Sequence, residues 1–222
     1  METFEEKKSR AKEILKRLKK AYPVVGPFVE WSNPLELVVG TMLSAQCTDE
    51  RVNKTTKVLF KKYLTAEDYA DASITALEKE IFSCGFYRNK SKNLKGIGKI
   101  LVEKFGGAVP GRLEDLLLLP GVSHKTAYIV LAKAFGKNVG LPVDTHVFRL
   151  AGRLGWSNSK TPEKMSPELM KFFPAKEYLR VNEYLITHGR AICAPRNPKC
   201  SECVLNNICP SAKHLSRISP HQ

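Results

Sequence analysis

Four cysteines lie in one short segment near the end of the chain, and this clustering constrains the fold more than any other feature. Cys193, Cys200, Cys203 and Cys209 are separated by six, two and five residues. Reducing compartments keep thiols free, so this spacing favours a metal centre over disulfides. Four thiolates in one loop can bind tetrahedral zinc or an iron–sulfur cluster, and residue type alone does not separate the two. The loop between the first two cysteines would then be fixed at both ends.

The hydrophobic pattern of the chain is helical throughout, without convincing strand alternation, so the predicted fold class is all-α. Asn33 and Thr48 have the residue types of helix N-caps, while Cys47 and Cys84 are expected as small core residues within helical patterns. Helices are predicted at 4–22, 34–43, 48–63, 73–82, 89–105, 113–119, 124–135, 145–154, 162–172 and 176–191.

The chain is strongly basic, with 36 Lys and Arg against 22 Asp and Glu and a formal net charge of +14. Such a surplus favours a nucleic-acid partner because cationic side chains release counterions from phosphate backbones. A merely lysine-rich surface is the alternative. There is no apolar run of membrane-spanning length and no signal peptide, so we expect a soluble, intracellular protein without a membrane partner. Further expectations are a prokaryotic source, with the protein in the cytoplasm or nucleoid, and a monomeric state.

Residues 113–135 have the pattern of two helices joined by a tight turn at 120–123. The turn resembles the helix-hairpin-helix of DNA glycosylases, whose core pattern is Leu-Pro-Gly-Val-Gly-x-Lys. By this resemblance, backbone N–H groups around Gly121 and Ser123 bind a DNA phosphate. Ser123 replaces the second glycine of that pattern. It would cost on the order of 1 kcal/mol if the position is left-handed, or it would cap the second helix.

Lys125 falls in the first turn of the second hairpin helix, where the helix dipole disfavours a cation. Taken alone, it has the residue type of a surface lysine. Within this turn it resembles the Schiff-base lysine of bifunctional glycosylases, and the helix field would favour its neutral, nucleophilic form.

Asp144 is the second residue of the segment Val-Asp-Thr-His-Val-Phe-Arg (143–149), which resembles the Val-Asp-Thr-His-x-x-Arg segment of the same enzymes. An N-cap is its simplest role, and the resemblance adds a catalytic carboxylate; the two roles are compatible. The extended stretch 136–142 is long enough to return the chain toward Lys125. His146 and Arg149 are interpreted as core or salt-bridge residues.

With these segments, the cysteine spacing resembles the endonuclease III family, and the matched motifs extend over about 34–209. The resemblance implies a [4Fe–4S] cluster and exposes Arg196 and Lys199 to phosphate. It also implies Gln46 as the residue that fills the space of a flipped nucleotide and Phe86 as an apolar wedge; a core aromatic is the alternative for Phe86. A monovalent cation at the carbonyls of Leu117, Leu119 and Val122 is implied as well.

The resemblance predicts two helical domains flanking a DNA-binding cleft. Residues 27–137 would form a six-helix domain with the hairpin, and 1–26 with 138–222 would form the cluster domain. The implied function is a base-excision DNA glycosylase and AP lyase that acts on double-stranded DNA with a damaged base, an oxidised pyrimidine by family expectation, or an abasic site. A non-catalytic iron–sulfur DNA-binding protein and a monofunctional mismatch glycosylase are the alternatives.

Overall fold

The computed structural model describes residues 2–215, and every regular element in that range is helical, which confirms the predicted fold class. No helix in this range is long and apolar enough to cross a membrane. Three 3-10 turns occur at Ala175–Glu177, Cys200–Glu202 and Asn206–Ile208. In chain order the α-helices are α1 (Phe4–Ala21), α2 (Pro34–Leu43), α3 (Asp49–Lys62), α4 (Ala66–Asp71), α5 (Ile74–Ile81), α6 (Tyr87–Phe105), α7 (Leu113–Leu116), α8 (His124–Phe135), α9 (Thr145–Arg153), α10 (Pro162–Met170), α11 (Tyr178–Ala191) and α12 (Ala212–Leu215).

The helices form two compact units, each with its own hydrophobic core. Gly26–Lys137 is the continuous unit. The split unit consists of Met1–Val25 and Asn138–Gln222, of which residues 216–222 lie outside the described range. Since each core is built from its own set of helices, each unit can position its own functional side chains.

In the split unit, the N-terminal helix completes a core that the C-terminal helices begin. Ile14 and Leu18 of α1 are fully buried, and they belong to the same core as Leu150 of α9 and Leu185 of α11. The apolar face of α1 therefore packs against helices that begin about 130 residues later in the chain.

In the continuous unit, α2 is the central helix. Eight of its ten residues are buried, from Leu35 through Leu43, because the helix is apolar on almost every side. The N-cap predicted at Asn33 is confirmed, since its side chain accepts a hydrogen bond from the backbone N–H of Glu36 at 3.0 Å. Thr48 caps α3 through the N–H of Arg51 at 3.4 Å, as predicted.

The short helix α4 is not predicted by the hydrophobic pattern, because six residues are too few to show a period. It is held by a capping box between Thr65 and Asp68 and by the burial of Tyr69. Gly98 of α6 permits the close packing, since a Cβ there would lie 2.6 Å from the Ala66 carbonyl oxygen. The Thr-x-x-Asp spacing is the local signal that could have revealed this helix.

The prediction of a helix over 113–119 is wrong at its C-terminal end, because α7 stops at Leu116. The N–H of Leu117 still bonds four residues back, to Leu113, but those of Leu118 and Leu119 bond to carbonyls three residues back at 3.2 and 3.1 Å. Pro120 explains this tightening, since proline disfavours the α conformation in the residue before it. The predicted end of α10 is also two residues too late, because the N–H groups of Lys171 and Phe172 bond to carbonyls three residues back rather than four.

Candidate active site and metal centre

The turn between α7 and α8 requires glycine at Gly121. Its φ is +78°, and a Cβ there would lie 2.5 Å from the side-chain nitrogen of Asn93. The N–H of Val122 bonds to the Leu119 carbonyl at 3.1 Å and closes the turn. The left-handed conformation therefore favours glycine at this position, and the amide of Asn93 would have to move to admit a Cβ.

Ser123 resolves the two alternatives left open by the sequence. Its φ is −89° and its ψ is 170°, so it is extended, and the strain of a left-handed serine does not arise. Its hydroxyl oxygen accepts a hydrogen bond from the Thr126 N–H at 3.4 Å and caps α8. The substitution of serine for the second glycine therefore keeps the helix start intact.

Lys125 is the second residue of α8 and is partly exposed. In the first turn of a helix the backbone N–H groups have no intrahelical acceptor and point toward the N-terminal side. The positive end of the helix dipole therefore lies beside the Lys125 amine, which is an environment that favours an anion such as a phosphate.

Asp144 is the N-cap of α9, as predicted. Its Oδ1 accepts a hydrogen bond from the Val147 N–H at 2.8 Å, and its backbone carbonyl accepts one from Phe148 at 2.8 Å. The residue is only partly buried. The cap bond uses one carboxylate oxygen, so the cap leaves the charge of the side chain available for a second role.

Arg149 was interpreted as a core or salt-bridge residue, and its hydrogen bonds go to backbone instead. Its guanidinium donates to the carbonyl of Cys193 at 3.2 and 3.0 Å and to that of Gly189 at 3.1 Å. It also lies 3.2 Å from Nδ1 of His146. A Cβ on Gly189 would lie 2.8 Å from that nitrogen. Arg149 thus ties α9 to the end of α11, where the cysteine loop begins.

Arg153, one helical turn later in α9, has a role that the sequence did not suggest. Its guanidinium donates to the Cys193 sulfur at 3.1 Å and to the carbonyls of Ala194 and Pro195 at 2.8 and 2.9 Å. Five donors in a fixed plane suit this set of acceptors. The spacing of Arg149 and Arg153 by four residues was the available signal, because it places both on one face of α9.

All four clustered cysteines line one pocket of about 410 Å³, open solvent included. Burial raises the pKa of the Cys200, Cys203 and Cys209 thiols, so thiolates here require a cationic centre. Hydrogen-bond donors already face the sulfurs of Cys193, from Arg153, and of Cys203, from the Leu205 N–H at 3.4 Å. Four thiols with such donors fit an iron–sulfur cluster.

His188 of α11 contacts the same loop at Cys203. It is 2% exposed, and burial lowers its pKa to about 4, so the ring is neutral at neutral pH. The Tyr22 hydroxyl lies 2.8 Å from Nδ1, and Nε2 lies 3.4 Å from the Cys203 sulfur. If the tyrosine donates, the ring proton is on Nε2 and points at the sulfur.

The basic loop between the first two clustered cysteines presents exposed Arg196 and Lys199. Asn197 between them has φ +48°, one of three left-handed non-glycine residues in the described range. The Lys199 N–H bonds to the Ile192 carbonyl at 3.0 Å and fixes the base of the loop. The cationic side chains therefore project from an anchored backbone.

The other two left-handed residues are Gln46 (φ +52°) and Phe86 (φ +59°). Gln46 is exposed, and Phe86 is 64% exposed and directly precedes α6. The alternative of Phe86 as a core aromatic is therefore wrong. Unusual backbone conformations that hold exposed side chains are typical of binding sites.

The remaining cysteines, Cys47 and Cys84, lie in turns rather than within helices. Cys84 is fully buried, and burial raises the pKa of its thiol, whereas Cys47 is partly exposed. The prediction of core residues holds for Cys84. It was wrong about the helices because both segments are short connections between them.

Comparison with known proteins connects these features. Residues 39–175 match the model of the HhH-GPD superfamily of base excision DNA repair proteins, and residues 193–209 match the iron–sulfur binding domain of endonuclease III. The chain is 49% identical to endonuclease III of Synechocystis sp., over 93% of this chain and 94% of the relative.

Two solved structures are similar at 37% identity and a TM-score of 0.90. One is a non-covalent endonuclease III–DNA complex, covering 95% of this chain and 98% of that one. The other is a trapped covalent endonuclease III–DNA intermediate, covering 95% and 99%. The match to the iron–sulfur binding domain of endonuclease III begins at Cys193 and ends at Cys209. The cofactor is therefore the [4Fe–4S] cluster rather than zinc.

Proposed function

Because the chain belongs to the endonuclease III family, and is thus a base-excision DNA glycosylase and AP lyase that binds DNA, we propose that Lys125 is the nucleophile of both steps and Asp144 its assisting carboxylate. The observation that carries this proposal is the position of Lys125, a partly exposed lysine in the first turn of the helix after the hairpin. A nucleophile there is next to backbone donors suited to a phosphate of the same nucleotide.

The reaction follows from the chemistry of an amine. The neutral Nζ of Lys125 attacks C1′, the bond from C1′ to the base breaks, and the base leaves with the electron pair and takes up a proton. Opening of the sugar ring gives a protonated Schiff base. That cation acidifies the C2′ hydrogen, which is lost as a proton while the 3′ phosphate leaves with the C3′–O electron pair. The proton that the attached amine loses balances the one that the leaving base takes up. Asp144 therefore stays ionised, and its negative charge stabilises the positive charge that develops on the sugar.

Borohydride trapping tests this assignment. The wild-type protein should form a covalent adduct with DNA that carries an abasic site, and Lys125→Gln should form none while it still binds the lesion. Lys133→Gln, which changes a lysine near the other end of α8, is the matched control and should still be trapped. An adduct from Lys125→Gln would overturn the assignment. No adduct from the wild type would favour the non-catalytic or monofunctional alternatives.

The substrate we propose is double-stranded DNA with an oxidised pyrimidine, which is the expectation from the family resemblance. Single-turnover excision should be measured on duplexes that each carry one lesion, such as thymine glycol, hydroxylated cytosine, uracil or mismatched thymine. Release of thymine glycol and hydroxylated cytosine ahead of the other two is expected. Excision confined to mismatched thymine would point instead to a mismatch enzyme.

Three groups of residues are proposed to bind the DNA. The N–H groups around Gly121 and Ser123 bind a phosphate without reading sequence. Gln46 enters the space that the flipped nucleotide leaves, and exposed Phe86 acts as an apolar wedge. Arg196 and Lys199 form the third group, which neutralises phosphate charge and so contributes to the salt dependence of binding.

Cys193, Cys200, Cys203 and Cys209 are the proposed ligands of the cluster. When bound, the cluster supplies a cationic centre for four thiolates. The residues around it hold this loop in place: Arg153 donates to its first carbonyls, and His188 supports Cys203. We assign the site a structural role, which is to fix the basic loop for DNA. Purified protein should be brown, with iron and sulfide near four per chain.

We also propose a monovalent cation site at the hairpin and a monomeric state. A monovalent cation would use the carbonyls of Leu117, Leu119 and Val122; the Leu119 oxygen already accepts the Val122 N–H and has a second lone pair to offer. The protein is proposed to act as a monomer, which sedimentation at assay concentrations would test.

A further inference from the structure

Lys90 of α6 is a lysine in the interior of the continuous unit, 5% exposed. Lysine is almost never buried to this degree unless its ammonium group is paired. Here Nζ donates to the carbonyl of Leu43 at 2.9 Å and to that of Ala45 at 2.8 Å. The titratable groups beside it are the thiols of Cys84 and Cys47, and burial lowers the pKa of the amine. Because burial of an ammonium group is unfavourable, we expect Lys90 to have a specific structural role.

The bond to Leu43 completes the C-terminal end of α2. The last four carbonyls of a helix have no intrahelical partner. Those of Gly40 and Met42 accept the N–H groups of Ser44 and Ala45, and that of Thr41 accepts the Ser44 hydroxyl at 2.8 Å. Lys90 supplies the fourth partner. This bond by itself would make Lys90 an ordinary helix cap.

The bond to Ala45 lies outside the helix and has a different consequence. The Ala45 carbonyl belongs to the peptide group that leads into Gln46, so a bond to it fixes the orientation of that peptide plane. Gln46 is exposed and left-handed, with φ +52°, a conformation that is sterically unfavourable for a residue with a Cβ. The surrounding structure must therefore hold it, and Lys90 contacts the peptide immediately before it.

Lys90 also joins two exposed turns. Its own N–H bonds to the Phe86 carbonyl at 3.1 Å at the start of α6. The neighbouring Gly85 approaches the other turn closely, since a Cβ on it would lie 3.4 Å from the Gln46 carbonyl oxygen. One lysine thus contacts, through backbone and side chain, the segments that carry both Gln46 and Phe86.

We propose that Lys90 is a positioning residue for Gln46: its buried ammonium group fixes the turn 44–47 so that the Gln46 side chain is already directed outward before DNA binds. This inference rests on the proposed entry of Gln46 into the duplex. It predicts that loss of the Lys90 ammonium group slows base release only when the Gln46 side chain is present.

A double-mutant cycle on the full-length, cluster-containing protein tests the proposal. Single-turnover base release from a lesion duplex is measured for the wild type, Gln46→Ala, Lys90→Met and the double variant. Lys90→Met should slow release about tenfold, the loss expected from a hydrogen bond of a charged group. In the Gln46→Ala background the same change should cost less than about twofold, because residues that act through one another are not additive.

The matched control is Lys95→Met, in the same helix, whose Nζ donates to the Ala72 carbonyl at 2.6 Å. It removes a lysine–carbonyl bond away from the Gln46 turn and should leave the rate unchanged. If Lys90→Met does not fold, Lys90→Arg keeps the charge and displaces the turn through its larger size, and the cycle is run with that variant.

The outcomes separate the two claims. A Gln46→Ala variant as fast as the wild type would refute the proposed entry of Gln46. A slow Gln46→Ala variant together with a fast Lys90→Met variant would refute the positioning role alone. So would an equal loss from Lys90→Met in both backgrounds, which is the result of general destabilisation.

Discussion

The two units hold their proposed functional residues by different means. In the continuous unit, Gln46, Phe86 and Gly121 lie in tight turns between helices that share one core. In the split unit, Arg196 and Lys199 lie on a loop whose regular structure amounts to 3-10 turns, and side chains from α9 and α11 bind that loop's backbone and sulfurs. Packed helices fix a turn directly, whereas a loop without a core of its own needs ligands, here arginines and a cluster.

The largest effect expected in the split unit concerns Asp144. Asp144→Asn should slow base release by about 10²–10³-fold, because the stabilising negative charge is lost. The melting temperature should hardly change, since asparagine caps a helix as well as aspartate. Single-turnover kinetics and thermal melting on the same samples measure both.

Asp144→Ala serves as the control that removes both roles, with an added loss of about 1 kcal/mol of stability. Near-wild-type release by Asp144→Asn would reduce Asp144 to a cap. The split unit would then hold its loop and contribute no group to the chemistry.

Loss of one cluster ligand should damage the split unit alone. Cys203→Ala should lower iron content and the melting temperature by roughly 5 °C or more, since about 1 kcal/mol corresponds to 2–4 °C for a chain of this length. DNA binding should weaken before the chemistry changes. Iron analysis and melting are the measurements.

Cys47→Ala removes a thiol of the continuous unit and should keep its full iron content. If Cys203→Ala retained the iron and the stability of the wild type, the contrast between a packed turn and a ligand-held loop would fail.

In the continuous unit, the corresponding variant is Gly121→Ala. The left-handed φ makes a Cβ unfavourable, and that Cβ would lie 2.5 Å from the side-chain nitrogen of Asn93, so a loss of about 1–3 kcal/mol is expected. Thermal melting should register this loss, and affinity for abasic DNA should fall because the turn shifts its N–H groups. Gly136→Ala, a left-handed glycine with no neighbour near its Cβ, should lose stability but keep affinity.

The smallest effect separates the proposed phosphate contacts of the basic loop from those of the hairpin by their charge. Arg196→Ala and Lys199→Ala should each reduce the salt slope of binding to undamaged duplex by about one unit, because each removes one counterion-releasing contact. Gly121→Ala should leave that slope unchanged, since backbone N–H groups carry no net charge. If Arg196→Ala and Lys199→Ala had the same salt slope as Gly121→Ala, the basic loop would not be part of the DNA interface.

Most of the site could be predicted where the chemistry is local. The cap at Asp144, the cap at Ser123 and the turn at Gly121 follow from residue types that are adjacent in sequence. The helix α4 was missed because one and a half turns show no period, and the end of α7 was misplaced because Pro120 acts backwards along the chain.

The sequence by itself determined the helical class, the clustering of the four cysteines and the N-caps at Asn33, Thr48 and Asp144, because these depend on spacings of a few residues. Only the tertiary structure decided that Arg149 and Arg153 bind the backbone of the cysteine loop and that Lys90 is buried against the Gln46 turn. A hydrogen bond from a long side chain to a carbonyl more than 40 residues away leaves no periodic trace, since every residue offers the same carbonyl. The chain fold alone selects which carbonyl is reached.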